Sequence, residues 1–298
     1  MNNKLHPHQK EELADLAVAA MRERGLEPEF PKPAIEQLKT IDGPSAEDGA
    51  GIVDMTGLLW CSIDNDDSRD LDQLTASEVL PDGSVRILVA IADVDTLVEK
   101  ETPIDRHAQI NTTSVYTSAR IFPMLPEKLS TDFTSLNPHE ERVATVTEMV
   151  FAPDGEMLRS HITRARVHNK AKLAYDAVAA WIDGHGPLPE AADRVPGMDE
   201  QIRTQDSVAQ QLRARRREHG SLEFETFQPR AEFQGDQVVA IKQQVQNRAR
   251  QLIEEFMVAT NGVTARFLAG KKRVSIRRVV KSPERWARIA EVAAERGW

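Results

Sequence analysis

Ser62 to Leu74 reads SIDNDDSRDLDQL and carries Asp64, Asp66, Asp67, Asp70 and Asp72 within nine residues. Five carboxylates so close repel one another unless something neutralises them. A solvated acidic turn is the plainest account of such a run. Two details point elsewhere. Apolar residues flank it (Leu58, Leu59, Trp60, Ile63, Leu71, Leu74), so parts of it sit against a core. Asp70 and Asp72 also stand two apart around Leu71, and in extended chain their side chains share one face while Leu71 takes the other. Paired carboxylates on one face suit a hard, oxygen-seeking cation such as magnesium. A calcium loop does not fit. Counted from Asp64, EF-hand spacing demands Gly at the sixth position and Glu at the twelfth, where this chain has Arg69 and Thr75.

Around the acidic run the pattern is that of short strands. Thr56 to Ile63 is one candidate. Val85 to Ala92 (VRILVAIA) is the strongest, an almost continuous apolar run bounded by Pro81-Asp82-Gly83 and Asp93. Arg142 to Phe151 alternates, and Asp154-Gly155 turns it into Leu158 to Val167, which predicts a hairpin. Helical spacing follows over Lys172 to Ile182, Asp199 to Glu218 and Arg248 to Leu268, with a strand-like stretch, Leu222 to Ile241, before the last. Strands crowd the first part and helices the second, which predicts an α+β domain. Ahead of it, residues 7–25 and 34–41 read as two helices and Gly43 to Gly51 as a linker. The resulting module, residues 1–45, has a length that suits a helix-turn-helix and equally a packing appendage. Residues 282–297 read as a final helix with Ser282 as N-cap, Pro283 at its first position and Gly297 as its stop.

Composition narrows the function classes. The chain has 298 residues, 40% hydrophobic and 29% charged, with a net charge of −9. That is too apolar for a disordered chain, and no apolar run reaches the roughly 18 residues of a membrane helix. A lone cysteine, Cys61, excludes a disulfide framework and a multi-cysteine zinc site. With no secretory leader pattern at Met1, the expected compartment is the cytoplasm. The net charge hides a division. Residues 1–149 hold 13 Lys and Arg against 28 Asp and Glu, and residues 150–298 hold 25 against 19, so −15 is joined to +6. Such asymmetry prompts a search for a nucleic-acid surface. Arg213, Arg215, Arg216 and Arg217 form one basic group and Lys271, Lys272, Arg273, Arg277 and Arg278 another. Phosphate contacts and a solvated helix surface explain the first group equally well. No zinc-protease spacing, nucleophile elbow or complete phosphate loop is present.

Taken together, the segments resemble the ribonuclease II/R (RNB) family of exoribonucleases. The acidic signature, Asp64 to Asp72, is followed in the family's order by VAIADV (Val89 to Val94), TSVY (Thr113 to Tyr116), FPMLPEKLS (Phe122 to Ser130) and SLNP (Ser135 to Pro138). KAKLAYD (Lys170 to Asp176), SLEF (Ser221 to Phe224) and IEEFMVATNGVTA (Ile253 to Ala265) come after. The resemblance implies an RNB-type catalytic domain over residues 46–298, a mixed sheet or barrel core with surrounding helices. It implies hydrolysis of single-stranded RNA from the 3′ end to nucleoside 5′-monophosphates with magnesium, or manganese in its place. By position, Asp64, Asp70 and Asp72 match the metal-site acids, and Asp72 matches the most critical catalytic aspartate. Tyr116 matches an aromatic residue that stacks near the 3′-terminal bases, Phe224 one that clamps the last base, and Glu254 an acid close to the bound ribose. Read without the motifs, Tyr116 and Phe224 are core aromatics. The chemistry is consistent: carboxylates hold a cation that assists phosphodiester cleavage, and aromatic platforms with basic walls bind single strands.

Two departures stand out. The family has a fourth aspartate directly after Asp72, and this chain has Gln73. The family also continues well past Trp298, through a basic segment with a phosphate-contacting arginine and an oligonucleotide-binding barrel. The expectation is therefore an RNB domain incomplete at its C-terminus. It is either part of a longer enzyme or an inactive RNA-binding remnant.

Overall fold

In the computed structural model, residues 9–47, 49, 51–221, 229–243, 245–276 and 285–297 are described. The expected α+β arrangement is the one adopted, and its central sheet is open rather than closed into a barrel. The sheet has seven strands: β1 (Ile52–Asp54), β2 (Cys61–Asp64), β3 (Gln73–Val79), β4 (Val85–Ala92), β7 (Glu141–Phe151), β8 (Met157–His168) and β9 (Ala171–Ala174). Their order is β1-β8-β7-β4-β3-β2-β9. The outer pairs, β1 with β8 and β2 with β9, are parallel, and the rest are antiparallel. Two small hairpins stand apart from it, β5 (Val115–Tyr116) with β6 (Ile121–Phe122) and β10 (Pro229–Gln234) with β11 (Gln237–Gln243).

The apolar run of β4 shows how the sheet divides the interior. Ile87 and Val89 face one side, where they join Cys61, Ile63, Met149, Phe151 and the buried faces of α4 (Tyr175–Ile182), α6 (Met198–Glu218) and α7 (Arg248–Gly270). Leu88 and Ala90 face the other, with Trp60, Leu71, Leu74, Leu136 and Val146. A run apolar on both faces is what a strand covered on both sides requires. Trp60 is fully buried, and its indole N–H donates to the Met55 carbonyl at 2.8 Å. A third cluster joins Ala34 of α2 (Lys32–Lys39) to Ile104 of α3 (Pro103–Asn111), with Leu129 and Phe133. The first helix, α1 (Gln9–Glu23), meets β11, and the Gln9 side-chain carbonyl accepts from the Val238 N–H at 3.0 Å. Among the described residues no helix is long and apolar enough to cross a membrane.

The β7–β8 hairpin closes at Asp154-Gly155 as expected. Gly155 has φ +81°, and a Cβ there would lie 2.9 Å from Cβ of Gln211 on α6. The turn needs glycine both for its left-handed backbone and for the helix pressed against it. Other expectations need correction. Of Thr56 to Ile63, only the last residues enter a strand, because the chain turns at Leu58 to bury Trp60. Lys172 to Ala174 are not helical. They complete β9, paired Ser62 with Lys172 and Asp64 with Ala174, and α4 starts only at Tyr175. Helical spacing was the wrong guide there because the open sheet edge at β2 captures the segment. The chain divides after Val263 into two compact units, and the second contains α8 (Trp286–Glu295). Its expected cap, Ser282 with Pro283, lies outside the described residues.

Trp60→Ala should remove the largest buried side chain and cost roughly 3–5 kcal/mol. Urea unfolding followed by circular dichroism checks this.

Candidate active site

β2 and β9 run parallel and end side by side, so Asp64 and Tyr175 emerge at one edge of the sheet. The acidic loop leaves β2 at Asp64 and re-enters the sheet at Gln73. Three anchors set its path. The Lys172 ammonium, on β9, donates to the carbonyls of Ser68 at 2.7 Å and Asp66 at 3.1 Å. The Ser135 hydroxyl accepts from the Leu71 N–H and donates to the Arg69 carbonyl, both at 3.0 Å. The Leu136 N–H donates to the Leu71 carbonyl at 2.8 Å. Leu71 itself is buried in the second core, and Asp70 and Asp72 on either side of it are not.

Two of the three aspartates, Asp64 and Asp72, feel the charge of a neighbouring one. Asp64 is half-buried, and burial raises its carboxyl above the ordinary value. The Asn65 N–H at 2.6 Å opposes the rise, the charge of Asp70 adds to it, and the charge of Arg250 opposes it. Asp72 still reaches solvent, yet enough protein surrounds it that desolvation raises its carboxyl too, with the charges of Asp64 and Asp70 adding to the rise. Asp70 Oδ2 accepts from the Tyr116 hydroxyl at 2.6 Å. Burial and that carboxylate push the Tyr116 phenol up to about 12, although its side chain is 63% exposed. Asp70 and Tyr116 line a cleft of about 520 Å³ together with Asn65, Ser68, Arg69 and Thr131.

Hard carboxylate oxygens, with no thiol or imidazole among them, have the donor chemistry that suits magnesium. Their spacing is more open than a closed ligand shell. Among the described residues no three acidic, His or Cys side chains stand close enough to share one metal ion. Gln73, at the fourth acidic position, is buried; its Nε2 donates to the Ile63 carbonyl at 3.0 Å and its Oε1 has no hydrogen-bond partner.

Of the other expected residues, Glu254 is exposed on α7, accepting from Gln246 Nε2 at 3.0 Å. Phe224 lies outside the described residues, as do Arg277 and Arg278. The arginine cluster of α6 is largely engaged within the protein. Arg213 bonds Gln251, Arg215 pairs with Asp154 and Arg216 with Glu255. Two residues at the site escaped the sequence reading. Tyr175 is half-buried, with its phenol pushed up to about 12 by burial and the charge of Asp64. Arg250 places its guanidinium over the Tyr175 ring, 4.4 Å from the centroid, and donates to Asn65 Oδ1 at 2.9 Å. Arg250 stands one turn before Glu254 on α7, but that spacing alone does not mark it as part of the site. Tyr175 is the second of only two tyrosines in the chain and lies inside the KAKLAYD segment.

A family model described as "RNB domain" matches residues 52–294. Ribonuclease R of Vibrio parahaemolyticus is 30% identical over 266 residues, which cover 89% of this chain and 32% of that protein. Ribonuclease R of Escherichia coli K12 is 34% identical over 235 residues, covering 78% of this chain and 28% of that one. The chain thus spans about a third of the length of these curated relatives. The fold is similar to that of Mycoplasma genitalium RNase R, solved in complex with double-stranded RNA. The TM-score is 0.85 at 24% identity, over 96% of this chain and 50% of that one.

Ser135→Ala strands the buried Leu71 N–H, and a loss of about 1–3 kcal/mol is expected. Faster amide exchange at Leu71 than in the strands is the local readout. Asp72→Asn should act oppositely on stability. Ionising a carboxyl whose folded pKa is raised costs the folded chain free energy. That cost is absent below about pH 4, where the group is protonated folded or unfolded, and complete above the raised value. The variant should therefore melt roughly 2 °C higher at pH 7, with the gain vanishing towards pH 4 in calorimetric scans.

Proposed function

The chain belongs to the RNB domain family, and on that premise we propose that it hydrolyses single-stranded RNA from the 3′ end, releasing nucleoside 5′-monophosphates with magnesium. The observation that carries this reading is one acidic loop in which the charge of Asp70 acts on Asp64 and the charges of Asp64 and Asp70 act on Asp72, beside the Tyr116 hydroxyl that bonds Asp70. Asp64, Asp70 and Asp72 are the carboxylates that would hold magnesium, or manganese in its place, and to do so they would have to draw closer than they stand here. Bound there, it would polarise a phosphate and lower the pKa of a water.

The chain's own residues do the rest. Leu71, locked by Ser135 and Leu136, prevents the acidic loop from relaxing away from its own repulsion. Lys172 braces the same loop from β9 by bonding the backbone carbonyls of Asp66 and Ser68. The exposed ring of Tyr116 offers a face on which a base stacks without regard to its identity. Its hydroxyl, tied to Asp70, fixes that face relative to the carboxylates. Glu254, exposed and one turn beyond Arg250, supplies an acceptor for a ribose hydroxyl.

The test is oligo(A) labelled at its 5′ end and incubated with magnesium. The wild-type chain should shorten it stepwise and release AMP, and Asp72→Asn should slow release by roughly a hundredfold or more. Equal rates in the two proteins would sink the assignment of Asp72. Retention of RNA without any mononucleotide would make the chain a binding domain instead.

A further inference from the structure

The carboxylate cluster poses a difficulty for its own substrate. Three negative side chains must admit an RNA backbone that is also negative. The charge of one arginine is felt at Asp64. Arg250 lies in the first turn of α7, and its charge acts on both Asp64 and Tyr175.

Its placement is built from several elements. The Asn247 side chain caps the start of α7, accepting from the Arg250 N–H at 3.0 Å, and donates to Asp176 Oδ1 at 2.8 Å, which ties α7 to α4. Arg250 is half-buried, with its guanidinium over the Tyr175 ring and one N–H on Asn65 Oδ1. Tyr175 and Asn65 thus fix the plane of the guanidinium from two directions. Asn65 follows Asp64 in the acidic loop, and Tyr175 follows β9, the strand paired with β2. A guanidinium held in one plane presents a directed positive charge that suits an anionic phosphate oxygen.

We propose that Arg250 is a phosphate-binding residue of this site, its planar guanidinium taking an anionic oxygen of the RNA backbone beside Asp64. The proposal rests on the reading of the chain as an RNA hydrolase and adds the residue that offsets the acidic cluster for an anionic strand. A purely structural counter-charge to Asp64 would make the same internal contacts, and the two roles separate in the salt dependence of binding.

The experiment measures binding of 5′-fluorescein-labelled oligo(A) by anisotropy in EDTA, across a series of potassium chloride concentrations. Loss of one phosphate contact lowers the magnitude of the slope of log K against log salt by about 0.7. Arg250→Gln should show that decrease and bind about tenfold more weakly at low salt. Arg250→Lys, which keeps the charge and loses the planar guanidinium, should retain the wild-type slope with reduced affinity. A glutamine variant whose slope matches wild type, or a lysine variant that binds as tightly as wild type at every salt concentration, would overturn the proposal. A wild-type chain without RNA affinity would overturn the hydrolase reading as well, so the two failures are distinguishable.

Discussion

Mutual repulsion among Asp64, Asp70 and Asp72 is the constraint that the rest of this structure answers. Left to itself, a nine-residue run with five carboxylates spreads into solvent. Here it is held at both ends by sheet strands and in the middle by Leu71, whose side chain is committed to one core while its backbone is committed to Ser135 and Leu136. The restraint comes from hydrophobic burial and backbone hydrogen bonds, which do not weaken as the carboxylates ionise. The result is a concentration of negative charge that the fold tolerates rather than enjoys. That is the expected signature of a site built for a ligand that is not part of the chain.

The same constraint explains why motifs scattered along the sequence belong together. SLNP reads as a polar turn, yet its serine and leucine are the clamp on the acidic loop. Asn137 Oδ1 of the same motif lies 3.0 Å from the Ser135 hydroxyl and shares its single proton with the Arg69 carbonyl, and Asn169 Nδ2 donates to the Leu136 carbonyl at 2.8 Å. KAKLAYD reads as the start of a helix, yet Lys172 is the loop's cationic brace and Tyr175 part of the site's wall. Asp93 of VAIADV takes no part in the cluster and pairs with Arg164 at 2.8 Å. Three motifs of similar appearance thus serve as clamp, brace and distant ion pair, a distinction that only the packing reveals.

Much of the fold was legible in the sequence because periodicity and turns agree in the long elements. β4, the β7–β8 hairpin, α6 and α7 follow their apolar spacing closely. β3 and β9 were not legible, for a physical reason. β3 starts inside the acidic run, where charge masks the alternation of Leu74 and Ala76. β9 has only four residues and owes its conformation to the free edge of β2. The acids of the site were legible from local spacing, since Asp70 and Asp72 flank a buried leucine. Arg250 was not, because its meaning depends on a ring and an amide about 75 and 185 residues away in sequence, and no local pattern encodes such a meeting.

Gln73 shows how the constraint acts on a single residue. Its side chain points into the interior, with the amide nitrogen on the Ile63 carbonyl and the buried oxygen left without a hydrogen bond. A carboxylate in its place would face the same burial and would add a further negative charge next to Asp72, whose ionisation already costs the folded chain free energy. It would also lose the donor that bonds Ile63. The amide is thus the cheaper side chain for a chain without a bound cation, since it keeps the β2–β3 contact and adds no repulsion. It also contributes less to holding a cation, because an amide oxygen brings a dipole where a carboxylate brings a full charge. Under the proposed reading the attraction for a divalent ion would then fall on Asp64, Asp70 and Asp72, and the rigidity of the loop that carries them would govern what the site could hold.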